Sequence, residues 1–322
     1  MEFLTHVNIL PSSRKINYQS KILSFGSCFS ESIGKKLQRA YFQIDINPFG
    51  ILFNPASIAQ NIEMLIENHN FTENDLLKNG SLYFNFAFDT SFSDYCVKKC
   101  LEKMNSRFTM GFNDLQNADI LFITFGTAWV FEHKETGKIV ANCHKLPSEN
   151  FVRRRLDIDE IVFNFQKLFL KLKKFNPDLF IILTVSPIRH VKDGFHENNL
   201  SKSILLLSAE KLEKEFENIM YFPAYEIVMD ELRDYRFYAT DMLHPSESAV
   251  EHIWEKFSDT FFSPQTKKIL SLAQKVAADN EHLARFEGSE EYANFLKIKE
   301  KRENELLLKI KETEKSNEKV FL

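Results

Sequence analysis

Short apolar runs alternate with helical patterns along most of the chain, and that alternation restricts the fold more than any other feature. The runs cover 21–26 (KILSFG), 42–46, 119–126 (DILFITFG) and 178–187 (DLFIILTVSP), with a weaker fifth at 220–223. Each ends at or near Gly or Pro, and the strongest are continuously apolar, as a strand covered on both faces requires. Helical patterns lie at 31–40, 56–67, 158–175, 201–217 and 246–262. Strand–helix alternation implies βαβ units and a mainly parallel sheet between helical layers, a three-layer α/β/α sandwich. Active sites in such sheets lie beyond the carboxyl ends of the strands.

Two insertions and a tail interrupt the pattern. Residues 71–118, rich in Phe, Asn and Ser, read as loops with a helix around Cys96–Met104 and part of a pocket wall. Residues 128–142 (AWVFEHKETGKIVAN) read as a hairpin, because two β-prone runs flank a polar turn at Gly137. From Thr266 onward there are 12 Lys and Arg against 11 Asp and Glu, and only three of the chain's 32 Phe. A length of 322 residues exceeds the usual single-domain size, so an α/β domain over 1–264 with a charged helical extension over 265–322 is expected. Phe295, Ile298, Leu306 and Ile310 in that tail keep no strict heptad; packing on the core and homo-oligomer formation through these helices both stay open.

Composition excludes several functions. The net charge of −4 speaks against nucleic-acid binding. No window reaches the roughly 18 apolar residues of a membrane span, and MEFLTHVNILPSSRK lacks the layout of a secretory signal. Four cysteines (Cys28, Cys96, Cys100 and Cys143) are too sparse for a disulfide framework and suit a reducing, cytoplasmic setting. The nine glycines form no dinucleotide or phosphate-loop motif. Cys143, His144, His190, His196, Asp241 and His244 are metal-ligand types, but their spacings match no usual site, so neither metal nor cofactor is expected.

Two positions carry chemistry. The first run ends in Phe25-Gly26-Ser27-Cys28-Phe29-Ser30 before a helix, so Cys28 reaches the cleft at a helix N-terminus that would lower its pKa. The bland alternative is a buried thiol with Ser27 or Ser30 as helix cap. Further on, Asp241-Met242-Leu243-His244-Pro245-Ser246 precedes a helix, with Pro245 suited to its first position. Asp241 can hold the His244 Nδ1 proton, leaving Nε2 for a nucleophile; a capping carboxylate is the alternative.

Together these blocks resemble the layout of SGNH/GDSL esterases, with Gly26-Ser27-Cys28 in place of Gly-Asp-Ser. The chain is identified as a member of the GSCFA family, grouped with the SGNH fold. Asn47-Pro48-Phe49-Gly50, Gly126-Thr127-Ala128-Trp129, Asn142-Cys143-His144-Lys145 and Ser186-Pro187-Ile188-Arg189-His190 extend the likeness over roughly residues 20–260. The resemblance implies a flavodoxin-like sheet order and acyl-ester chemistry, with Cys28 as nucleophile, His244 as base and Asp241 as its orienting partner. Ser27, in the place of the block's Asp, is a reserve nucleophile. Backbone N–H groups of Cys28 and Gly50 would hold the oxyanion. The third block departs: SGNH enzymes carry Gly-x-Asn, and Ala128 stands where the amide should be, so Asn142 is the candidate substitute, or else a turn residue. Ser27, Gly126, Trp129, His144, Arg189 and His190 would line the substrate site. Arg189 and His190 could take an anionic group, unless Arg189 pairs with a structural acid. The implied reaction is ester or thioester hydrolysis, or acyl transfer, on a small-molecule or glycan substrate. The rival is a non-catalytic ligand-binding protein that keeps the cleft.

Overall fold

The computed structural model describes residues 5–282, 286 and 288–318. The first strand, β1 (Lys21–Gly26), leads into α1 (Cys28–Arg39), β2 (Gln43–Ile46) and α2 (Pro55–Ile66). An insertion follows, with the short hairpin β3 (Leu77–Asn79) and β4 (Leu82–Phe84) and the long α3 (Val97–Asn117). After β5 (Ile120–Phe125) come β6 (Trp129–His133), β7 (Lys138–Val140) and β8 (Phe151–Arg155). The chain continues through α4 (Ile158–Phe175), β9 (Phe180–Val185), α5 (Phe195–Glu215), β10 (Ile219–Phe222) and the short α6 (Ala224–Glu226). It closes with α7 (Glu247–Phe261), α8 (Pro264–Glu281) and α9 (Glu290–Glu318).

The central sheet is five-stranded and parallel, in the order β2-β1-β5-β9-β10. Every residue of β5 and β9 is buried, as their unbroken apolar runs require. Side chains alternate between two cores. Leu23, Phe25, Leu121, Ile123 and Phe125 face α2, α3, α4 and α5, whereas Ile22, Ile120 and Phe122 face α1, α7 and α8. The three expected layers are therefore present. The strand order reverses between β1 and β5, which opens a crevice at their carboxyl ends.

Phenylalanine anchors the loop over that crevice. Phe49, fully buried, packs 4.8 Å from Phe88 and edge-on at 5.9 Å to Phe108. Burying such a ring stabilises by about 2–3 kcal/mol. Beyond it, Leu52 N–H reaches Gly26 O (3.0 Å), and Phe53 O accepts from Gly126 and Thr127 N–H (2.9 Å each). Residues 47–54 thus stitch the ends of β1 and β5 together.

Several boundaries differ from the sequence expectations. Helix α1 begins at Cys28 and α5 at Phe195, each well before its apolar period becomes clear. The hairpin β6–β7 is present, but Phe151–Arg155 adds an unforeseen third strand beside β6. Residues 71–87 do wall a cavity of about 710 Å³, opposite α2 and 133–141, yet neither Cys28 nor His244 lines it. In the tail, Ile269, Leu270, Ala273 and Val276 of α8 are buried in the core that holds α1 and α7. Leu306 of α9 is fully buried there too, and Arg302 pairs with Asp279 at 2.8 Å. The charged texture of this segment is its outer face. Among the described residues, no helix is long and apolar enough to cross a membrane.

Candidate active site

Close packing between β1 and β5 sets the position of Cys28. A Cβ on Gly26 would lie 2.5 Å from Thr124 O and 2.7 Å from Thr124 Cβ, so only glycine passes there. Ser27 follows as the N-cap of α1, fully buried, its Oγ accepting from Phe29 N–H at 3.4 Å. This removes Ser27 as reserve nucleophile or substrate contact, because the cap role holds its hydroxyl inside. Cys28 is the first helical residue and half-buried at the crevice.

The loop 239–246 brings the partner residues. Met242 takes a left-handed φ of 60°, and Asp241 Oδ1 accepts from Leu243 N–H (2.9 Å) and His244 N–H (3.0 Å). The other oxygen, Oδ2, lies 2.5 Å from His244 Nδ1, and His244 Nε2 lies 3.8 Å from Cys28 Sγ. Helix α7 starts at Glu247 rather than at Pro245, with Ser246 as its N-cap, whose Oγ accepts from Ala249 N–H at 3.3 Å. Pro245 precedes the cap and bridges to Tyr238. Arg189 N–H donates to Leu243 O (3.2 Å), tying this loop to the segment after β9.

Electrostatics assign the proton positions. The His244 and Leu243 backbone N–H groups, then the imidazole, hold Asp241 at about 2, so it is ionised and can only accept. Nδ1 therefore carries the proton, and the Nε2 lone pair faces the thiol. Burial pushes the Cys28 thiol above its ordinary value, aided by Glu31 and opposed by the N–H groups of Cys28 and Phe29 and by Lys202. The expected net lowering at the helix N-terminus does not occur, because desolvation of the thiolate outweighs the helix end. Cys28 rests as a neutral thiol and depends on a base.

Of the anticipated oxyanion donors, the Gly50 N–H is already engaged. Gly50 has φ +85°, and a Cβ there would meet Asp89 Oδ2 at 2.0 Å. Its N–H, however, donates to Asn47 O at 2.8 Å and is spent inside the turn. Asn142 is a turn residue, its Oδ1 accepting from His144 N–H at 2.8 Å. Ala128 is fully buried, and its N–H donates to Ser201 Oγ at 2.8 Å. The first turn of α1 keeps its Cys28 N–H directed toward the thiol.

The proposed lining residues separate into two groups. His144 leaves the cleft: it is buried, stacked on Phe84, with Nε2 at 2.9 Å from Asn85 O and Nδ1 at 3.3 Å from Ser93 Oγ. Burial lowers its pKa, and both ring nitrogens are occupied. Gly126 has its N–H on Phe53 O and its carbonyl on Lys202 Nζ, which leaves no backbone group for substrate. Trp129 lies under Arg153 and Arg155, whose guanidinium carbons are 5.1 and 5.6 Å from its ring. Arg189 and His190, by contrast, adjoin the loop that carries His244: Arg189 N–H meets Leu243 O, and His190 feels the His244 ring. Arg189 has no carboxylate partner among the described residues; it meets Asn199 Oδ1 (3.2 Å), Met229 Sδ (3.8 Å) and the Phe195 ring. Burial, then Lys202, His244 and Arg153, pulls His190 down to about 4 and keeps it neutral.

One residue was not anticipated from sequence. Lys202, on α5, is 1% exposed and donates to Gly126 O and Ser186 O, both at 2.6 Å. Its only sequence signal is a charge on the inward face of a helix whose start was placed just before it.

A five-stranded parallel sheet between helical layers, with a thiol after its first strand and Asp-x-x-His before its last core helix, defines an α/β sandwich protein. The chain belongs to the GSCFA family, whose model matches residues 21–257. Its fold also resembles three solved structures. One is an acetyl xylan esterase (Est2A) from the rumen bacterium Butyrivibrio proteoclasticus, at 11% identity over 75% of this chain and 63% of that one, TM-score 0.38. Another is a carbohydrate esterase family 3 protein from Talaromyces cellulolyticus, at 9% identity over 80% and 99%, TM-score 0.34. The third, described as a platelet activating factor from Streptococcus pneumonia, shows 13% identity over 74% and 83%, TM-score 0.35. These likenesses are too distant to carry a residue's role across. No curated protein matches the chain.

Proposed function

We propose that the protein breaks or transfers acyl esters through Cys28, and the Cys28–His244–Asp241 alignment is the observation that carries this reading. His244 Nε2 removes the thiol proton as sulfur attacks the carbonyl carbon of an ester or thioester. The tetrahedral intermediate collapses, the imidazolium returns that proton to the departing alcohol or thiol, and the acyl group stays on Cys28 as a thioester. Water or an acceptor hydroxyl then attacks, with His244 again as base, and the thiol is regenerated. The Cys28 N–H is the oxyanion donor, and Asp241 keeps Nδ1 protonated throughout. A carbohydrate acyl ester fits the family-level expectation. Arg189, lacking an acid of its own, suits a substrate with a negative group. A reducing compartment such as the cytoplasm would keep the thiol usable.

A ligand-binding role is the second reading, favoured by Ala128 and by the spent N–H of Gly50. Iodoacetamide labelling separates the two, with exposed Cys96 as internal reference. A catalytic Cys28 is labelled faster than Cys96 at neutral pH, and His244→Ala removes the advantage. Slow labelling of Cys28 in both proteins supports the binding role. Incubation with an aryl ester, with and without sugar acceptors, then distinguishes the reactions: release into water marks a hydrolase, acceleration by acceptor a transferase.

A further inference from the structure

The cavity of about 710 Å³ between α2, residues 71–87 and the β6–β7 hairpin lies outside the crevice, and the acyl chemistry above gives it no role. Its walls are fastened to one another. Asn61 of α2 donates from Nδ2 to Ala87 O (2.8 Å), and Phe86 O accepts from Ala141 N–H (3.0 Å) just after β7. Asn85 closes the remaining side: its Nδ2 donates to Asp75 O (2.7 Å), and its Oδ1 accepts from Ala87 N–H (2.8 Å). A cavity built this way is formed before any ligand arrives, so binding carries little ordering cost.

The lining narrows the class of ligand by exclusion. Asn61 is 1% exposed, and with Nδ2 spent on Ala87 its Oδ1 accepts from no group among the described residues. A purely apolar occupant would seal that oxygen away from any donor, which is costly. A charged occupant finds no unbalanced partner. Glu63 and Glu67 share Lys171 (3.0 and 3.4 Å), and Asp75 takes Thr72 N–H (2.7 Å) and stands 3.6 Å from His69 Nε2. Glu135 and Lys138, both exposed, are of opposite sign. Two pairs of rings complete the lining: His69, edge-on to Phe71 at 4.6 Å, and Phe86, tilted against His133 at 5.1 Å. Such ring faces are electron-rich and attract polarised C–H bonds.

We infer that this cavity binds a neutral saccharide, at a site separate from Cys28. Sugar hydroxyls are the donors that Asn61 Oδ1 lacks, sugar C–H faces suit the rings, and the ligand brings no charge to be balanced. The amides of Gln60 and Asn74, unpartnered among the described residues, add polar contacts at the edge. The wall runs on to Asp89, whose N–H donates to Phe49 O (2.9 Å) in the loop over the crevice. A glycan held here therefore rests on the segment that supports the crevice. The inference stands whether or not Cys28 is a nucleophile.

The experiment titrates the full-length protein with maltotetraose, cellotetraose, xylotetraose and tetra-N-acetylchitotetraose, beside tetragalacturonate and tetralysine, and reads amide hydrogen exchange. Protection of peptides over 60–67, 71–87 and 133–141 by a neutral probe, with affinity about 10-fold weaker in Asn61→Ala or His69→Ala, supports the inference. His69 is exposed, so its variant should fold even where loss of the Asn61–Ala87 bond destabilises the other. The inference is overturned if no neutral probe protects these peptides at about 10 mM, well above a millimolar Kd. Unchanged affinity in the folded variants overturns it as well. So does protection confined to 26–29 and 239–246, which puts the sugar in the crevice, or protection of the cavity by a charged probe alone.

Discussion

Replacing Asp241 by Asn separates two jobs that one carboxylate performs. Oδ1 accepts from the N–H groups of Leu243 (2.9 Å) and His244 (3.0 Å), and Oδ2 meets His244 Nδ1 at 2.5 Å. Asparagine keeps the first job, because its carbonyl oxygen can take both backbone donors and hold the turn at Met242. That requirement locks the amide orientation and points Nδ2 at the ring. A donor then stands where an acceptor stood, so Nδ1 must accept and the ring proton moves to Nε2. A proton, rather than a lone pair, would face Cys28 Sγ across 3.8 Å. The same tautomer error in serine hydrolases costs about 10⁴-fold in rate, and a loss of that order is expected here. Stability should hardly change, since Asp241 and His244 are about half-exposed and the turn survives. The assay is single-turnover acylation of Cys28 by an aryl ester, read by mass spectrometry beside a thermal melt. An Asn variant that melts like wild type and acylates within about 10-fold of it would refute the orienting role. Asp241→Ala is the contrast: it also removes both backbone hydrogen bonds and should loosen the loop.

Three other substitutions test the surroundings. Gly26→Ala places a Cβ 2.5 Å from Thr124 O within the sheet. It should cost about 1–3 kcal/mol in urea unfolding, and unchanged stability would mean that β1 and β5 can part at no cost. Glu231, fully buried, accepts from Val7 N–H (2.9 Å), His252 (2.8 Å) and Lys256 (3.0 Å). Burial alone would raise its pKa, but these donors and His6 hold it at about 2 against an ordinary 4.5, worth about 3 kcal/mol. A depressed carboxylate stabilises above its unfolded pKa, so Glu231→Gln should be less stable at neutral pH, with the deficit vanishing as pH falls from about 4.5 toward 2. A deficit constant over that range in urea titrations would contradict the assignment. Asn142→Ala should leave acylation of Cys28 within about twofold of wild type, and a loss nearer the 10²-fold typical of an oxyanion donor would return the residue to the site.

Legibility in the sequence followed the range of the forces involved. The run KILSFG coincides with β1 to the residue, since burial on both faces demands an unbroken apolar stretch and the Gly26 turn ends it. Cys28, Asp241 and His244 were readable because the carboxyl ends of parallel strands define one cleft, and two separate local motifs open onto it. Gly50 and His144 carry suitable groups, yet their N–H and ring nitrogens are used by Asn47, Asn85 and Ser93. Which partner claims a polar group depends on what the fold places beside it, and spacing along the chain does not encode that. Lys202 was missed for the same reason: on a helix it resembles any lysine until two strand ends meet its Nζ.

The balance between local and long-range information shows most clearly at the thiol. Apolar continuity, glycine at the tight passage and an Asp-x-x-His turn are short-range properties, and they were enough to specify a doubly wound sheet with Cys28 at its crevice. The pKa of that thiol could not be read the same way. A helix N-terminus favours the thiolate and is visible in sequence, but burial depth and Glu31 act through space and reverse the outcome against the opposing charge of Lys202. Desolvation depends on how many atoms exclude water from the sulfur, and only the packed tertiary structure determines that number.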